Sequence, residues 1–181
     1  MPKQPCRECR GRGRRVVKRK FEEEVPAGIS DGQRIRLSGR GHAGELGAPA
    51  GDLYLLARVA EDSRFVREGS DLITVVDVAA PLAALGATLE VPTLEGSESI
   101  ELPPGSQPGA VLTLSGHGMP TVRSGRRGDQ RAVVNVLVPR RLSEEQRELL
   151  ERLNDSLTPE NMRSEESLFA KLRRALGNQA A

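Results

Sequence analysis

Apolar and turn-forming positions fall into the same order twice along this chain. Residues 25–41, Val-Pro-Ala-Gly-Ile-Ser-Asp-Gly-Gln-Arg-Ile-Arg-Leu-Ser-Gly-Arg-Gly, recur 77 positions later without a gap as residues 102–118, Leu-Pro-Pro-Gly-Ser-Gln-Pro-Gly-Ala-Val-Leu-Thr-Leu-Ser-Gly-His-Gly. Pro26 falls on Pro103, Gly28 on Gly105, Gly32 on Gly109 and Leu37 on Leu114, and the same offset carries Gly51-Asp52 onto Gly128-Asp129. A spacing this long is too large for a solenoid repeat and suits a small domain, so the pattern predicts two copies of one β-module.

In the first copy, residues 16–25 predict an exposed strand with Phe21 and Val25 on one face. Residues 34–38 alternate as a short strand, residues 39–51 form a Gly-rich loop, and residues 53–59 supply the next strand, with Leu53, Leu55, Ala57 and Val59 sharing a face. Leu56 on the opposite face is apolar too, which predicts a strand covered on both sides. The second copy opens with a β-branched run at 72–78, then changes period. Pro81 near the start and Gly86 at the end of 81–86 predict a helical turn or two. Strands at 88–91 and 97–102 follow, and the repeated block supplies the rest up to Val138. The first copy has no counterpart of residues 72–91, as expected of a chain cut inside its first module.

After Pro139 the period becomes helical. Ser143-Glu-Glu-Gln146 is a capping-box sequence, and Gln146, Leu149, Leu150, Leu153 and Leu157 form one stripe that Pro159 stops. Such a stripe needs a partner. A second amphipathic segment runs from Ser164, a good N-cap, through Leu168, Phe169, Leu172 and Leu176, with acids early and Lys171, Arg173 and Arg174 late, as the helix dipole favours.

Composition narrows the core. The 181 residues include no Trp, one Tyr and three Phe, so Val, Leu, Ile and Ala must fill it. No apolar run is long enough for a bilayer span or a signal peptide, and the cytoplasm is the expected location. The net charge of +2 hides a basic block, with Lys3, Arg7, Arg10, Arg12, Arg14, Arg15, Lys18, Arg19 and Lys20 against Glu8 alone in the first 20 residues. A block of this kind is read first as a solvated entry segment and second as a nucleic-acid contact. The second reading lacks interleaved aromatics for base stacking, so nucleic acid is not the expected partner. With two scattered His, no Ser-His-Asp arrangement and no P-loop, no residue takes a nucleophile's or base's role, and no enzyme is expected.

Cys6-Arg-Glu-Cys9-Arg-Gly11-Arg-Gly13 is the sharpest local motif. Two thiolates at this spacing can grip one face of a tetrahedral zinc while the glycines let the backbone fold round it. Structural zinc takes four ligands, however, and the chain has no other Cys. His42 and His117 belong to different modules, so a site completed within the chain is not expected.

These motifs, together with Gly-Ala-Pro-Ala-Gly-Asp-Leu-Tyr at 47–54, Ala-Leu-Gly at 84–86 and Val-Pro-Thr-Leu-Glu-Gly at 91–96, resemble the C-terminal half of bacterial DnaJ co-chaperones. The likeness covers about residues 5–157, with the motifs in the family's order and at its spacings. It implies a mainly β fold: two tandem β-sandwich or barrel-like modules followed by C-terminal amphipathic helices. Residues 1–13 would be a remnant of the cysteine-rich zinc module, 14–62 a shortened first C-terminal domain, 63–139 the second, and 140–181 a helical dimerisation segment and tail. Cys6 and Cys9 match the last of the family's four Cys-x-x-Cys-x-Gly-x-Gly repeats, so zinc belongs to the full-length family, and half of one site is implied here. The family's J-domain carries a His-Pro-Asp motif and stimulates ATP hydrolysis by the partner chaperone DnaK; no His-Pro occurs in these residues, and no such stimulation is expected of them.

The resemblance also implies a shallow groove on the first domain, where a non-native client adds a strand to the sheet. Phe21 and Leu55 match groove-lining positions, whereas Glu23 stands where the family usually has an apolar residue. The residues alone favour core roles for Phe21 and Leu55. At the 77-residue offset Phe21 becomes Glu98 and Leu55 becomes Ala132, so clients are expected on the first module. Gly51-Asp52 and Gly128-Asp129, present in both copies, are assigned to the fold, Gly to a turn and Asp to nearby backbone amides. Leu149, Leu150 and Leu153 are the expected homodimer contacts.

Overall fold

The computed structural model describes Arg7, Cys9, residues 16–44 and residues 48–162. Cys6 and the helix expected after Ser164 lie outside the described residues. The chain divides into two compact units, Met1–Val136 and Leu137–Ala181.

Among the described residues eight strands form in chain order: β1 (Arg34–Leu37), β2 (Leu53–Leu56), β3 (Val66–Glu68), β4 (Asp71–Ala79), β5 (Ala87–Thr93), β6 (Gly96–Leu102), β7 (Val111–Leu114) and β8 (Gln130–Leu137). A short helix α1 (Ala80–Leu85) separates β4 from β5, and α2 (Glu144–Ser156) lies in the second unit. The fold is mainly β, with three sheets and no closed barrel among the described residues. One sheet has the order β3-β4-β8-β7, while β1-β2 and β5-β6 are antiparallel pairs.

The repeat in sequence is a repeat in hydrogen bonding. Strand β1 pairs with β2 as Arg34↔Leu56 through Leu37↔Leu53. Strand β7 pairs with β8 as Val111↔Val133 through Leu114↔Gln130, which is the same register moved by 77 residues. The turns repeat as well. Gly32 N donates to Ala57 O at 3.0 Å and Gly109 N to Val134 O at 2.8 Å, while Gly41 N donates to Gly51 O at 2.7 Å and Gly118 N to Gly128 O at 2.9 Å. Gly39 and Gly116 take φ of 68° and 76°, a conformation open to Gly at little cost, which accounts for Ser-Gly at both places.

The core lies in the second module, between the four-stranded sheet and the β5-β6 hairpin. Val91, Leu114 and Ala132 form one buried cluster, and Val78, Ala83, Leu102 and Val134 form another beneath α1. The two share Val76, Leu89 and Leu112 at their margins, so they form one continuous apolar layer. Pro in the first turn starts α1, and Gly86 closes it with φ 82° and a hydrogen bond from its N–H to Leu82 O at 2.8 Å. The turn at 103–106 then docks on the helix, with Gly105 N donating to Ala84 O and Ser106 N to Ala83 O, each at 3.1 Å.

Two expectations fail in the first module. Residues 16–26 form no strand, because Lys18, Arg19 and Lys20 followed by Glu22, Glu23 and Glu24 leave no continuous apolar face and no described strand lies beside them. Strand β2 is not covered on both sides: Tyr54, Leu55 and Leu56 are exposed by 56, 38 and 55%. Their second-module counterparts are half-buried Arg131, fully buried Ala132 and half-buried Val133, covered there by elements with no described equivalent in the first copy.

The turn at Gly28–Ile29 fastens the first module to the second. From β3, the Arg67 guanidinium donates to Ile29 O at 2.7 Å and Gly28 O at 2.6 Å. Gly28, at φ 81°, approaches Pro120 so closely that a Cβ would stand 1.7 Å from its carbonyl oxygen. Only glycine fits there.

Candidate functional site

The repeated hairpin carries the candidate surface. Asp52 pins its loop, with Oδ1 accepting from Gly39 N at 2.9 Å and Oδ2 from Arg36 Nε at 2.6 Å. The Gly39 amide first, and then Arg36, hold this carboxyl below its usual range. Asp129 Oδ1 takes the corresponding bond from Gly116 N, also at 2.9 Å. The backbone-pinning role expected of both Asp residues is thus seen directly. The turn role expected of the paired glycines is not, since neither Gly51 nor Gly128 lies in a turn. Gly128 instead fills a tight contact, where a Cβ would lie 2.4 Å from Ser70 O.

On this scaffold Phe21 and Leu55 are partly exposed, by 37 and 38%. Leu55 stands opposite Ile35 in the β1-β2 ladder. The Phe21 ring centre lies 5.1 Å from the guanidinium carbon of Arg40, a cation-π distance. Both expected groove residues therefore attach to the same hairpin, one through its strand and one through the residue that follows its β1 turn. Tyr54 and Leu56 are exposed too, on the face of β2 opposite Leu55, as their alternation with Leu55 would have shown from sequence had β2 been read as open.

Cys9 is a free, half-buried thiol. Among the described residues no group of three or more His, Cys, Asp or Glu could hold a metal, so these residues do not complete a tetrahedral donor set round Cys9.

In the second unit, α2 begins with the expected capping box: Gln146 N donates to Ser143 Oγ at 3.2 Å and Ser143 N to Gln146 Oε1 at 3.0 Å. No residue of the helix is buried. Leu149, Leu150 and Leu153 are exposed by 57, 37 and 53%, and Leu150 lines a shallow depression with Leu142, Arg147 and Asn154. Among the described residues no helix is long and apolar enough to cross a membrane.

Sequence reasoning missed two residues that shape the first unit. Gln130 is fully buried and donates through Nε2 to Pro92 O at 2.7 Å, whereas its counterpart is Leu53. Arg67 ties the modules across 38 and 39 positions. Neither has a local signature beyond the amide of Gln130 at the start of an alternating apolar strand.

The fold and these surfaces define a duplicated β-sandwich protein with one covered and one open copy of the same hairpin. The chain belongs to the DnaJ C-terminal domain family, whose pattern it matches over residues 7–139. It is 49% identical over 147 residues to Chaperone protein DnaJ 1 of Mycolicibacterium paratuberculosis, covering 81% of this chain and 39% of that protein. It is 45% identical to Chaperone protein DnaJ of Parasynechococcus marenigrum, over 82% of this chain and 40% of the relative, and 44% identical to that of a Roseiflexus species, over 96 and 47%. The chain thus spans less than half the length of these relatives.

Proposed function

We propose that this chain holds non-native polypeptides as the client-binding and dimerising part of a DnaJ-type co-chaperone that works with DnaK in the cytoplasm. The observation that carries the reading is the open face of the first hairpin, where Phe21 and Leu55 are exposed while Ala132, the counterpart of Leu55 in the second module, is fully buried. An extended client laid against that surface would bury apolar area at about 25 cal/mol per Å² and take part of its affinity from backbone hydrogen bonds. The role is one of holding; no residue is assigned to catalysis.

Dimerisation through Leu149, Leu150 and Leu153 would join two weak sites and raise avidity without new contacts. Cys6 and Cys9 would contribute two of the four ligands of a zinc site completed by donors outside the described residues.

The test is binding of a labelled, permanently unfolded polypeptide to Phe21→Ser and Leu55→Ser, with the fold checked by circular dichroism. Loss of binding in folded variants supports the reading. Unchanged binding in both refutes it.

A further inference from the structure

We propose that Arg67 is a positioning residue for client binding: supplied by the second module, its guanidinium holds the turn that sets Phe21 against the open hairpin of the first. The inference rests on the client reading and goes beyond it, since Arg67 belongs to neither strand of that hairpin and acts through the turn alone.

Arg67 has a firm base. It lies in β3 opposite Leu72, which is buried in the second module. Its donors all meet backbone carbonyls: Nε donates to Gly69 O at 2.8 Å, Nη1 to Ile29 O at 2.7 Å and Nη2 to Gly28 O at 2.6 Å. The first bond aims the planar fork and the other two grip the turn, with charge-assisted bonds that are about twice as strong as neutral ones. The same turn packs on Pro120, at Gly28, where there is no room for a Cβ. Two parts of the second module, β3 and the loop after β7, therefore hold it in place.

The turn stands between the two groove residues along the chain. On its C-terminal side, Gly32 N donates to Ala57 O at 3.0 Å and Val59 N to Asp31 Oδ1 at 2.9 Å, and Ile35 then stands opposite Leu55 in the ladder. That side is fixed to the hairpin. On its N-terminal side, residues 16–25 are exposed and make no backbone hydrogen bond among the described residues; the first is Ile29 N to Pro26 O at 3.3 Å. Phe21 is thus tethered by its contact with Arg40 and by the chain that runs to Gly28. An exposed cation-π contact is weak alone, so the turn must carry much of the placement. Releasing it would lower the fraction of molecules in which Phe21 and Leu55 are presented together, and apparent affinity falls with that fraction.

The test uses the full chain and a labelled, permanently unfolded polypeptide. Arg67→Met should weaken binding by about three- to tenfold. Arg67→Lys, which keeps the charge without the fork, should recover part of the loss, and it carries the comparison if the methionine variant fails to fold. Arg64→Ala is the control: its guanidinium meets Asp62 and the Phe65 ring, not the turn, and client affinity should change by less than about twofold. A double-mutant cycle separates placement of Phe21 from general damage. In a Phe21→Ser background, Arg67→Met should cost less than about twofold more, whereas an equal loss in both backgrounds overturns the proposal. Fluorine NMR of the chain labelled with para-fluorophenylalanine gives a readout without client. The Phe21 signal, identified by its loss in Phe21→Ser, should move toward that of the free amino acid in Arg67→Met and stay in place in Arg64→Ala. An unmoved signal overturns the proposal, as does full client binding by Arg67→Met when Phe21→Ser has lost it. Binding that survives both Phe21→Ser and Leu55→Ser sinks the client reading instead, and the fluorine signal then decides alone whether Arg67 places Phe21.

Discussion

The Asp129 carboxylate accepts a hydrogen bond from the Gly116 amide at 2.9 Å. It closes the loop between β7 and β8, and the same contact recurs between Asp52 and Gly39. Asp129→Ala should cost about 0.5–1.5 kcal/mol in urea unfolding, because the exposed Gly116 amide exchanges its carboxylate acceptor for water. Asp129→Asn, which keeps a side-chain oxygen, should cost less. Equal stability of the alanine variant and the parent would remove the pinning role.

Paired glycines offer a sharper contrast. At Gly128 a Cβ would meet Ser70 O at 2.4 Å and Asp71 Oδ1 at 2.5 Å, whereas at Gly51 the nearest atom is His42 O at 4.0 Å. Gly128→Ala should therefore destabilise by about 2 kcal/mol or more, through forced separation of β4 from the β8 loop. Gly51→Ala should change stability by less than about 0.5 kcal/mol. Thermal unfolding of the two variants side by side checks the difference.

Acid should act through a few exposed carboxylates. Asp62 accepts from the Arg64 guanidinium at 2.9 and 3.1 Å and from its amide at 2.8 Å, which lowers its pKa from the usual 3.8 to about 2, the guanidinium contributing first. Asp52 is held low by the Gly39 amide and Arg36, and Glu95 by Arg127. Each pKa is lower in the folded chain than in the unfolded one. Their support is therefore complete above about pH 5 and fades as pH falls through the folded values. Carbon NMR of the Asp62 carboxyl should show a midpoint near 2, moving up toward 3.8 in Arg64→Ala. High salt should shrink the difference.

Association should depend on α2. The Leu149→Glu, Leu153→Glu variant is expected to be monomeric by light scattering at concentrations where the parent is dimeric, with unchanged β-sheet content. The substituted residues are exposed by 57 and 53%, so the helix itself should tolerate the change. Deleting residues 142–181 should have the same effect. A dimer that survives both changes would place its contacts elsewhere.

Much of this architecture could be read from residue order. The 77-residue offset places β1 on β7 and β2 on the first half of β8 without a shift, because turn glycines and strand leucines fix hairpin register locally. Pro81 and Gly86 bracket α1, and Ser143 with Gln146 starts α2, for equally local reasons. Burial was less legible. Leu53, Leu55 and Leu56 read as a strand covered on both faces, yet cover depends on neighbours remote in sequence, and those found in the second copy have no described counterpart in the first. Residues 16–26 show the converse: extended propensity without a pairing partner leaves no strand. Of the candidate surface, Phe21 and Leu55 were found by likeness, whereas Tyr54 and Leu56 emerged once the open strand was seen.

The two bonds from Arg67 to the Gly28–Ile29 turn give the duplication a direction. The matching turn of the second copy rests on its own helix through Gly105 and Ser106, whereas the first copy borrows its anchor from its sibling. Inheritance of the pair is thus unequal. The turn of the second copy keeps its support within its own module, whereas that of the first leans on a strand of its neighbour, so loss of Arg67 would loosen the first copy's turn and leave the second's in place.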